Sequence, residues 1–238
     1  MRVYGRRILE EAIRSGVKIK RVFFAKLERY EKSFLDLVEE VERRGIRYDF
    51  VEKEKLTSMV GKGHQGIVID IEDFRYSGLE EVLNVKEPFL VLLDHIQDPH
   101  NLGAIIRSAA GAGANGVIIP KDRAVKVTPA VVKVSAGTVF KIPVVLVTNL
   151  ARTIEILKEK NVWVYAVDMD GKPYYEEDLT GPIGVVLGSE GKGLGKLVKE
   201  RCDGVIGIPM ENSVESLNVS VSAGIILFEI RRQRRMKR

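Results

Sequence analysis

The sequence predicts an α/β protein in two parts: a small amino-terminal α/β domain and a larger domain built on a mostly parallel sheet. Three observations carry that prediction. Short apolar runs alternate with segments of helical periodicity along nearly the whole chain. From Phe89 onward the runs are continuously apolar, the pattern of strands covered on both faces. Between the two halves, Asp73 to Pro88 turns polar and irregular, with Gly78, Asn84 and Pro88. The expected division is a first domain at 1–73, a linker at 74–87 holding a short helix, and a second domain at 88–238.

The elements follow in order. "ILEEAI" sets Ile8, Leu9, Ala12 and Ile13 on one helical stripe, and Gly16 stops it. "IKRVFFA" is a strand. Phe34, Leu37, Val38 and Val41 recur at helical spacing, with Gly45 beyond. "IRYDFV" is a second strand, "KEKLTSMV" a short helix, and "GIVIDIE" (66–72) a third strand entered through "GKGHQ". In the second domain, strands are expected at 89–94, 116–120, 143–147, 162–168, 183–188 and 204–208. Helices are expected at 101–112, 129–135, 150–160, 193–200 and 216–233. In such a sheet, ligands bind beyond the carboxyl ends of the strands.

Composition bounds the function classes. Of 238 residues, 45% are hydrophobic and 7% aromatic, enough for a packed core and against disorder. No apolar run reaches the length of a membrane span, and "RVYGRRILEEAIR" lacks the apolar centre of a signal peptide. Cys202 is the single cysteine, so neither an internal disulfide nor a thiolate metal cluster is expected. The expectation is a cytoplasmic, metal-free protein. The net charge is +5, concentrated at the ends. Arg2, Arg6, Arg7, Arg14, Lys18, Lys20, Arg21 and Lys26 face only Glu10 and Glu11, and the tail "RRQRRMKR" holds no acid. Two basic ends suit a nucleic-acid partner; a solvated tail is the plainer alternative.

Several motifs need weighing. "GAGANG" (111–116) matches a dinucleotide fingerprint but follows a helix and precedes a strand, the reverse of what that fingerprint needs. "GSEGKGLGK" (188–196) offers no phosphate-loop register. It does follow a buried strand, and Gly188, Gly191, Gly193 and Gly195 exceed what one turn needs, leaving room for a ligand close to backbone. Glu190 is its single carboxylate. In "DHIQDPHNLGAIIRSAAGAG", Asn101 is a plausible helix cap and Arg107 lies at the edge of an apolar helical stripe. His95 and His100 lack a third ligand at metal-binding spacing. In "IPMENSVESLNVSVSAG", Ser216 is the expected cap, placing Asn218 and Ser220 in a first helical turn where N–H groups and polar side chains serve a polar or anionic ligand. Ala223 and Gly224 would admit another backbone.

Together "HNLGAIIRSA", "VVLGSEGKGL" and "IPMENSVESLNVSVSAGIILFE" resemble the three motifs of the SpoU family of RNA ribose 2′-O-methyltransferases, of the SPOUT class. The match is co-linear and runs from about Phe89 to Arg234. The amino-terminal part, ending in "GHQGIVID", resembles the ribosomal-protein-like RNA-binding domain of the branch that methylates a guanosine in the P loop of bacterial 23S rRNA. The resemblance implies a SPOUT domain with a deep trefoil knot, S-adenosyl-L-methionine as cofactor, and a homodimer. It implies cofactor contacts at Gly188, Ile208 and Leu217, with Pro209 and Met210 shaping the adenine pocket. It gives Arg107 the central catalytic role, Asn101 and Glu190 a positioning one, and puts Ser216 and Asn218 near ribose and cofactor. Two rival functions stand beside this: the same chemistry on a tRNA or another rRNA, and a non-catalytic RNA-binding or ribosome-assembly protein. The trio Asn101, Arg107 and Glu190 speaks against the second.

Overall fold

A computed structural model describes every residue of the chain except Glu190, Lys192 and Arg238. The chain forms two compact units, Met1–Arg75 with Val127–Lys141, and Tyr76–Lys126 with Ile142–Arg238. Residues 127–141 were expected in the second domain; by their contacts they belong to the first unit.

The first unit opens with β1 (Arg2–Tyr4), α1 (Arg6–Arg14), β2 (Ile19–Ala25), α2 (Lys32–Arg43), β3 (Tyr48–Val51), α3 (Lys53–Val60) and β4 (Ile67–Ile71). Its sheet runs β1-β4-β2-β3, with β2 and β3 parallel and both other pairs antiparallel. Three residues are too few to display alternation, which is why β1 escaped the sequence reading. On α2, Phe34 and Val41 are fully buried, and Phe34 meets Phe24 of β2 edge to face at 5.4 Å. Most of the amino-terminal cations have local partners: Arg2 with Asp70, Arg6 with Glu31, Lys18 with Glu72, Arg21 with Asp49 and Lys26 with Glu52. That pairing weakens the basic field the linear sequence suggested.

The second unit begins with α4 (Leu79–Leu83), the short helix expected in the linker, and continues through β5 (Phe89–Asp94), α5 (Pro99–Ala112) and β6 (Gly116–Pro120). Next comes α6 (Pro129–Val134), in the segment that joins the first unit. Then follow β7 (Val144–Val147), α7 (Leu150–Glu159), β8 (Trp163–Pro173), β9 (Ile183–Gly188), α8 (Lys196–Arg201), β10 (Gly204–Gly207) and α9 (Val219–Met236). Six strands lie in the order β10-β8-β9-β5-β6-β7, every neighbouring pair parallel. The central strand β5 is buried from Phe89 to Asp94, which fits its unbroken apolar run.

Three boundaries moved. Asp98, not Asn101, caps α5, its carboxylate accepting from the His100 N–H at 2.9 Å. Asn218, not Ser216, caps α9, accepting from the Ser220 N–H at 2.9 Å. Helix α8 starts at Lys196, so Gly193 and Gly195 stay in the loop. In both helices the cap's short side chain reaches the free N–H two residues on, His100 in α5 and Ser220 in α9.

Helix α9 packs on α5 and β9, burying Ala223, Ile226, Leu227 and Ile230 completely. The three larger side chains, Ile226, Leu227 and Ile230, each contribute roughly 1.5–3 kcal/mol through burial. Its basic end is anchored rather than frayed. Arg234 lies 5.1 Å over the Phe89 ring and donates to the carbonyls of Pro88, at 3.2 Å, and of Gly181. Arg231 donates to Gly111 O at 2.9 Å.

Candidate functional site

The site lies where the second unit's sheet ends and its loops begin. Strand β8 overruns its partner: the β10 register steps from Val205↔Ala166 to Ile206↔Lys172. The residues skipped include Val167, Asp168 and Met169, which form one wall of a cavity of about 450 Å³. The loop after β9 supplies a second wall through Gly188, Ser189, Gly191, Gly193 and Leu194. The third comes from the segment before α9, with Ile208, Met210, Glu215, Ser216 and Leu217, and from Val219 and Ser222 on the helix.

The loop's glycines each have a local cause. A Cβ on Gly188 would stand 2.3 Å from the Gly193 carbonyl carbon, so bare backbone is required there. Gly191 and Gly193 take φ of +78° and +63°, where L side chains are strained. A two-way backbone exchange, Ser189 N–H to Gly193 O at 3.2 Å and Gly193 N–H to Ser189 O at 2.9 Å, holds the loop folded back.

Asp94 closes the same loop from beneath. It ends β5 beside Gly188 in register, is 1% exposed, and accepts through Oδ2 from the Gly195 N–H at 2.7 Å. His95 follows at φ +58°, its Nδ1 2.5 Å from Asp94 Oδ1. The sequence held a signal for Asp94, a single carboxylate closing an apolar strand, that the motif reading passed over.

At the cavity's edge, Lys199 of α8 lies 2.7 Å from Asp168 Oδ2 and 2.7 Å from Asp170 Oδ1. Burial alone would lower the Lys199 pKa; the two carboxylates outweigh it and raise it. The hydrogen bond from Lys199 holds Asp170 below the usual carboxylate range. Asp168 and Met169 were absent from the sequence reading. Gly171 was the available signal: its Cβ would lie 2.4 Å from the Ile206 carbonyl carbon, which forces a glycine where β8 overruns its register.

Of the residues singled out by sequence, Gly188, Ile208, Met210, Ser216 and Leu217 line the cavity; Pro209, between two of them, does not. Asn101 and Asn218 meet, Asn218 donating through its amide to Asn101 Oδ1 at 3.0 Å. Arg107 is exposed on α5, and its guanidinium makes no hydrogen bond or ion pair with another described residue. Glu190 lies outside the described residues. His100 pairs with Asp98, the cap of α5, and among the described residues no cluster of three or more His, Cys, Asp or Glu could hold a metal ion.

The cavity fits an elongated, mixed-polarity molecule. Its volume lies in the range of small-ligand sites. Apolar Leu187, Ile208, Met210 and Leu217 can take a flat ring, while Ser189, Ser216, Ser222 and the bare loop backbone offer hydrogen bonds. Asp168 and Glu215 supply carboxylates suited to hydroxyl or ammonium groups.

Comparison with known proteins gives this site a context. Residues 88–228 match the model of the SpoU rRNA Methylase family, and residues 2–77 match that of the RNA 2′-O ribose methyltransferase substrate binding domain. A 23S rRNA (guanosine-2′-O-)-methyltransferase from Coxiella burnetii is 42% identical, covering 95% of this chain and 92% of its own. The enzyme of the same name from Pseudomonas syringae is 40% identical, over 100% of this chain and 97% of its own. Among solved structures, the SpoU methyltransferase AviRb from Streptomyces viridochromogenes, in complex with AdoMet, superposes with a TM-score of 0.85 at 26% identity. It covers 100% of this chain and 91% of its own.

Proposed function

Since the chain belongs to the SpoU rRNA methylase family, we propose that it transfers a methyl group from S-adenosylmethionine to a ribose 2′-hydroxyl of RNA, a guanosine of the 23S rRNA P loop. The observation that carries the reading is the cavity at the ends of β8 and β9, in which five residues expected at the site from sequence, Gly188, Ile208, Met210, Ser216 and Leu217, share one wall system. S-adenosylmethionine, when bound, supplies an electrophilic methyl on a sulfonium. Gly188 and its loop would hold it against bare backbone, with Ile208, Met210 and Leu217 on its apolar side and Pro209 stiffening the turn between them.

The chain's own part is alignment and charge. An in-line displacement requires the attacking oxygen to be held in one orientation. Arg107, exposed on α5, is assigned to take an RNA phosphate bidentately and to stabilise the alkoxide that develops at the 2′ position; its exposure supports the assignment. Its part is charge and orientation rather than proton abstraction; the hydroxyl proton leaves to phosphate or water. Asn101 and Asn218, joined by their side chains, present one fixed polar edge to the ribose. Ser216 stands on the cavity wall beside them in sequence, and Glu190 is assigned to orienting the RNA.

RNA capture falls to the first unit, Met1–Arg75 with Val127–Lys141, and methyl transfer to the second, Tyr76–Lys126 with Ile142–Arg238. A cytoplasmic homodimer completes the proposal. Val221 and Phe228, each 50% exposed, lie seven residues apart on one face of α9, with open space at Gly224 between them. Such a strip suits a second copy of the chain. No helix among the described residues is long and apolar enough to cross a membrane. The carboxyl-terminal loops are assigned a deep trefoil knot, supported by close passage of bare backbone at Gly171 against Ile206 and at Gly188 against Gly193.

The test is transfer of labelled methyl to protein-free 23S rRNA, with tRNA in parallel and the modified nucleotide mapped. Label on a P-loop guanosine ribose supports the whole proposal. Label on tRNA alone keeps the chemistry and overturns the substrate. Absence of label, with cofactor still bound, favours a binding or assembly protein.

A further inference from the structure

Asp94 is a buried carboxylate that neither the cofactor cavity nor the RNA chemistry uses directly. It is 1% exposed at the end of β5, and it touches the cofactor loop at both ends. At the loop's start, Asp94 pairs with Gly188 across β5 and β9. At its finish, Oδ2 takes the Gly195 N–H at 2.7 Å, and a Cβ on Gly195 would stand 3.2 Å from that oxygen. Gly195 precedes α8, so its N–H would otherwise be left without a partner beneath the loop.

We propose that Asp94 is a positioning residue, whose carboxylate clasps the loop from Gly188 to Gly195 and holds the cofactor cavity open in its receptive shape before ligand arrives. The proposal rests on the reading of the cavity as an S-adenosylmethionine site. Two features call for a buried side-chain acceptor in this place. Burying a charge is unfavourable unless it is hydrogen-bonded, and the Gly195 N–H on Oδ2 is the bond Asp94 has; Oδ1, 2.5 Å from the His95 ring nitrogen, makes no hydrogen bond with the described residues. The loop's own tie joins Ser189 to Gly193 and does not reach its exit toward α8. Gly195 is the point at which that exit is fixed, and Asp94 supplies the acceptor. The backbone at Gly188, Ser189, Gly191 and Gly193 that faces the cavity would thereby be pre-organised, so that binding need not order it.

The test compares wild type, Asp94→Ala and Asp94→Asn in the full-length protein. Hydrogen exchange of the 189–195 backbone is followed without ligand, and binding of S-adenosylmethionine and of RNA is titrated separately. In Asp94→Ala, exchange across 189–195 should accelerate at least tenfold. The S-adenosylmethionine dissociation constant should rise at least tenfold, with RNA affinity unchanged. Asp94→Asn keeps an oxygen able to accept from Gly195 and should recover most of both losses, which a merely structural role would not predict. Should Asp94→Ala fail to fold, Gly195→Ala approaches the contact from the loop side and should weaken the cofactor a few-fold. Wild-type exchange and affinity in the folded Asp94→Ala protein would overturn the clasp. A wild-type protein that binds no S-adenosylmethionine would overturn the functional reading, while the exchange experiment would still judge the clasp.

Discussion

Asn218 bridges two stretches 117 residues apart: its side-chain amide donates to Asn101 Oδ1 at 3.0 Å while its own oxygen accepts from the Ser220 N–H at 2.9 Å. One side chain thus starts α9 and fixes the polar edge of α5. The first role is capping; the second gives the pair a shared orientation that neither helix could impose alone.

The two roles separate by mutation. Asn218→Ser keeps a good cap but is too short to reach Asn101. Asn218→Ala loses both. Asn218→Ala should lose about 1 kcal/mol of stability, whereas Asn218→Ser should unfold near the wild-type temperature. Both should lose activity on the order of a hundredfold if the bridge aligns the reacting ribose. Thermal unfolding alongside kcat/KM separates these contributions, and wild-type turnover in Asn218→Ser would reduce the bridge to packing.

Arg107→Ala should lower kcat by roughly a hundredfold to a thousandfold, the cost of losing one oxyanion stabiliser. Cofactor affinity should hold, because the side chain is absent from the cavity lining. Arg107→Lys should fall between, since a lysine keeps the charge but not the planar fork. Steady-state kinetics with a cofactor-binding titration would show it; collapse of cofactor affinity would assign Arg107 to structure.

Gly188→Ala should abolish cofactor binding with little change in RNA affinity. Its methyl would arrive 2.3 Å from the Gly193 carbonyl carbon and 2.5 Å from the oxygen, and both contacts are backbone, which cannot rotate away. The loop must open instead. Isothermal titration with S-adenosylmethionine reads this directly.

If α9 joins two copies as proposed, Phe228→Glu should separate them without unfolding the chain. The ring is half exposed, so its loss opens no cavity, while a carboxylate in an apolar contact between copies is strongly unfavourable. Sedimentation velocity checks the prediction; a wild-type monomer would remove α9 as a dimer face.

Much of this architecture was legible in linear order because its signals are local. The unbroken apolar run at 89–94 announced a strand covered on both faces, and β5 is one. Helix α5 was placed within two residues of its start. What escaped depends on contacts distant in sequence. β1 exists because Arg2 to Tyr4 pair with β4, nearly seventy residues away. The overrun of β8, which brings Asp168 and Met169 to the cavity, follows from its register with β10 and leaves only Gly171 as a trace in the sequence. Asp94 looked like the last residue of a strand; its bond to Gly195 spans 101 positions. Caps were misassigned where two polar residues competed within a turn, at Asp98 against Asn101 and at Asn218 against Ser216. The tail's arginines suggested a polyanion, yet Arg231 and Arg234 anchor α9 to carbonyl groups.

The single thiol gives a pH-dependent test of the second unit's packing. Burial, with Asp203 adding like charge and Lys158 opposing, pushes the Cys202 pKa from its ordinary 9.0 up to about 12. Its Sγ lies 3.3 Å from Val198 O, within the last turn of α8. In the folded chain the thiol therefore keeps its proton to about pH 12, while in the unfolded chain it ionises from about pH 9. Between those values the native state binds more proton than the unfolded one, so stability falls as pH rises; below pH 9 this group has no effect on the slope. Cys202→Ala should flatten the loss of stability between pH 9 and 11, measured by urea unfolding. At pH 8 the native thiol should react with iodoacetamide roughly a thousandfold more slowly than in the denatured chain, since the nucleophile is the thiolate and the shift is about three units. Rapid labelling of the native protein would mean that the turn around Val198 opens readily and that α8 is less firmly seated on α7 than its packing implies.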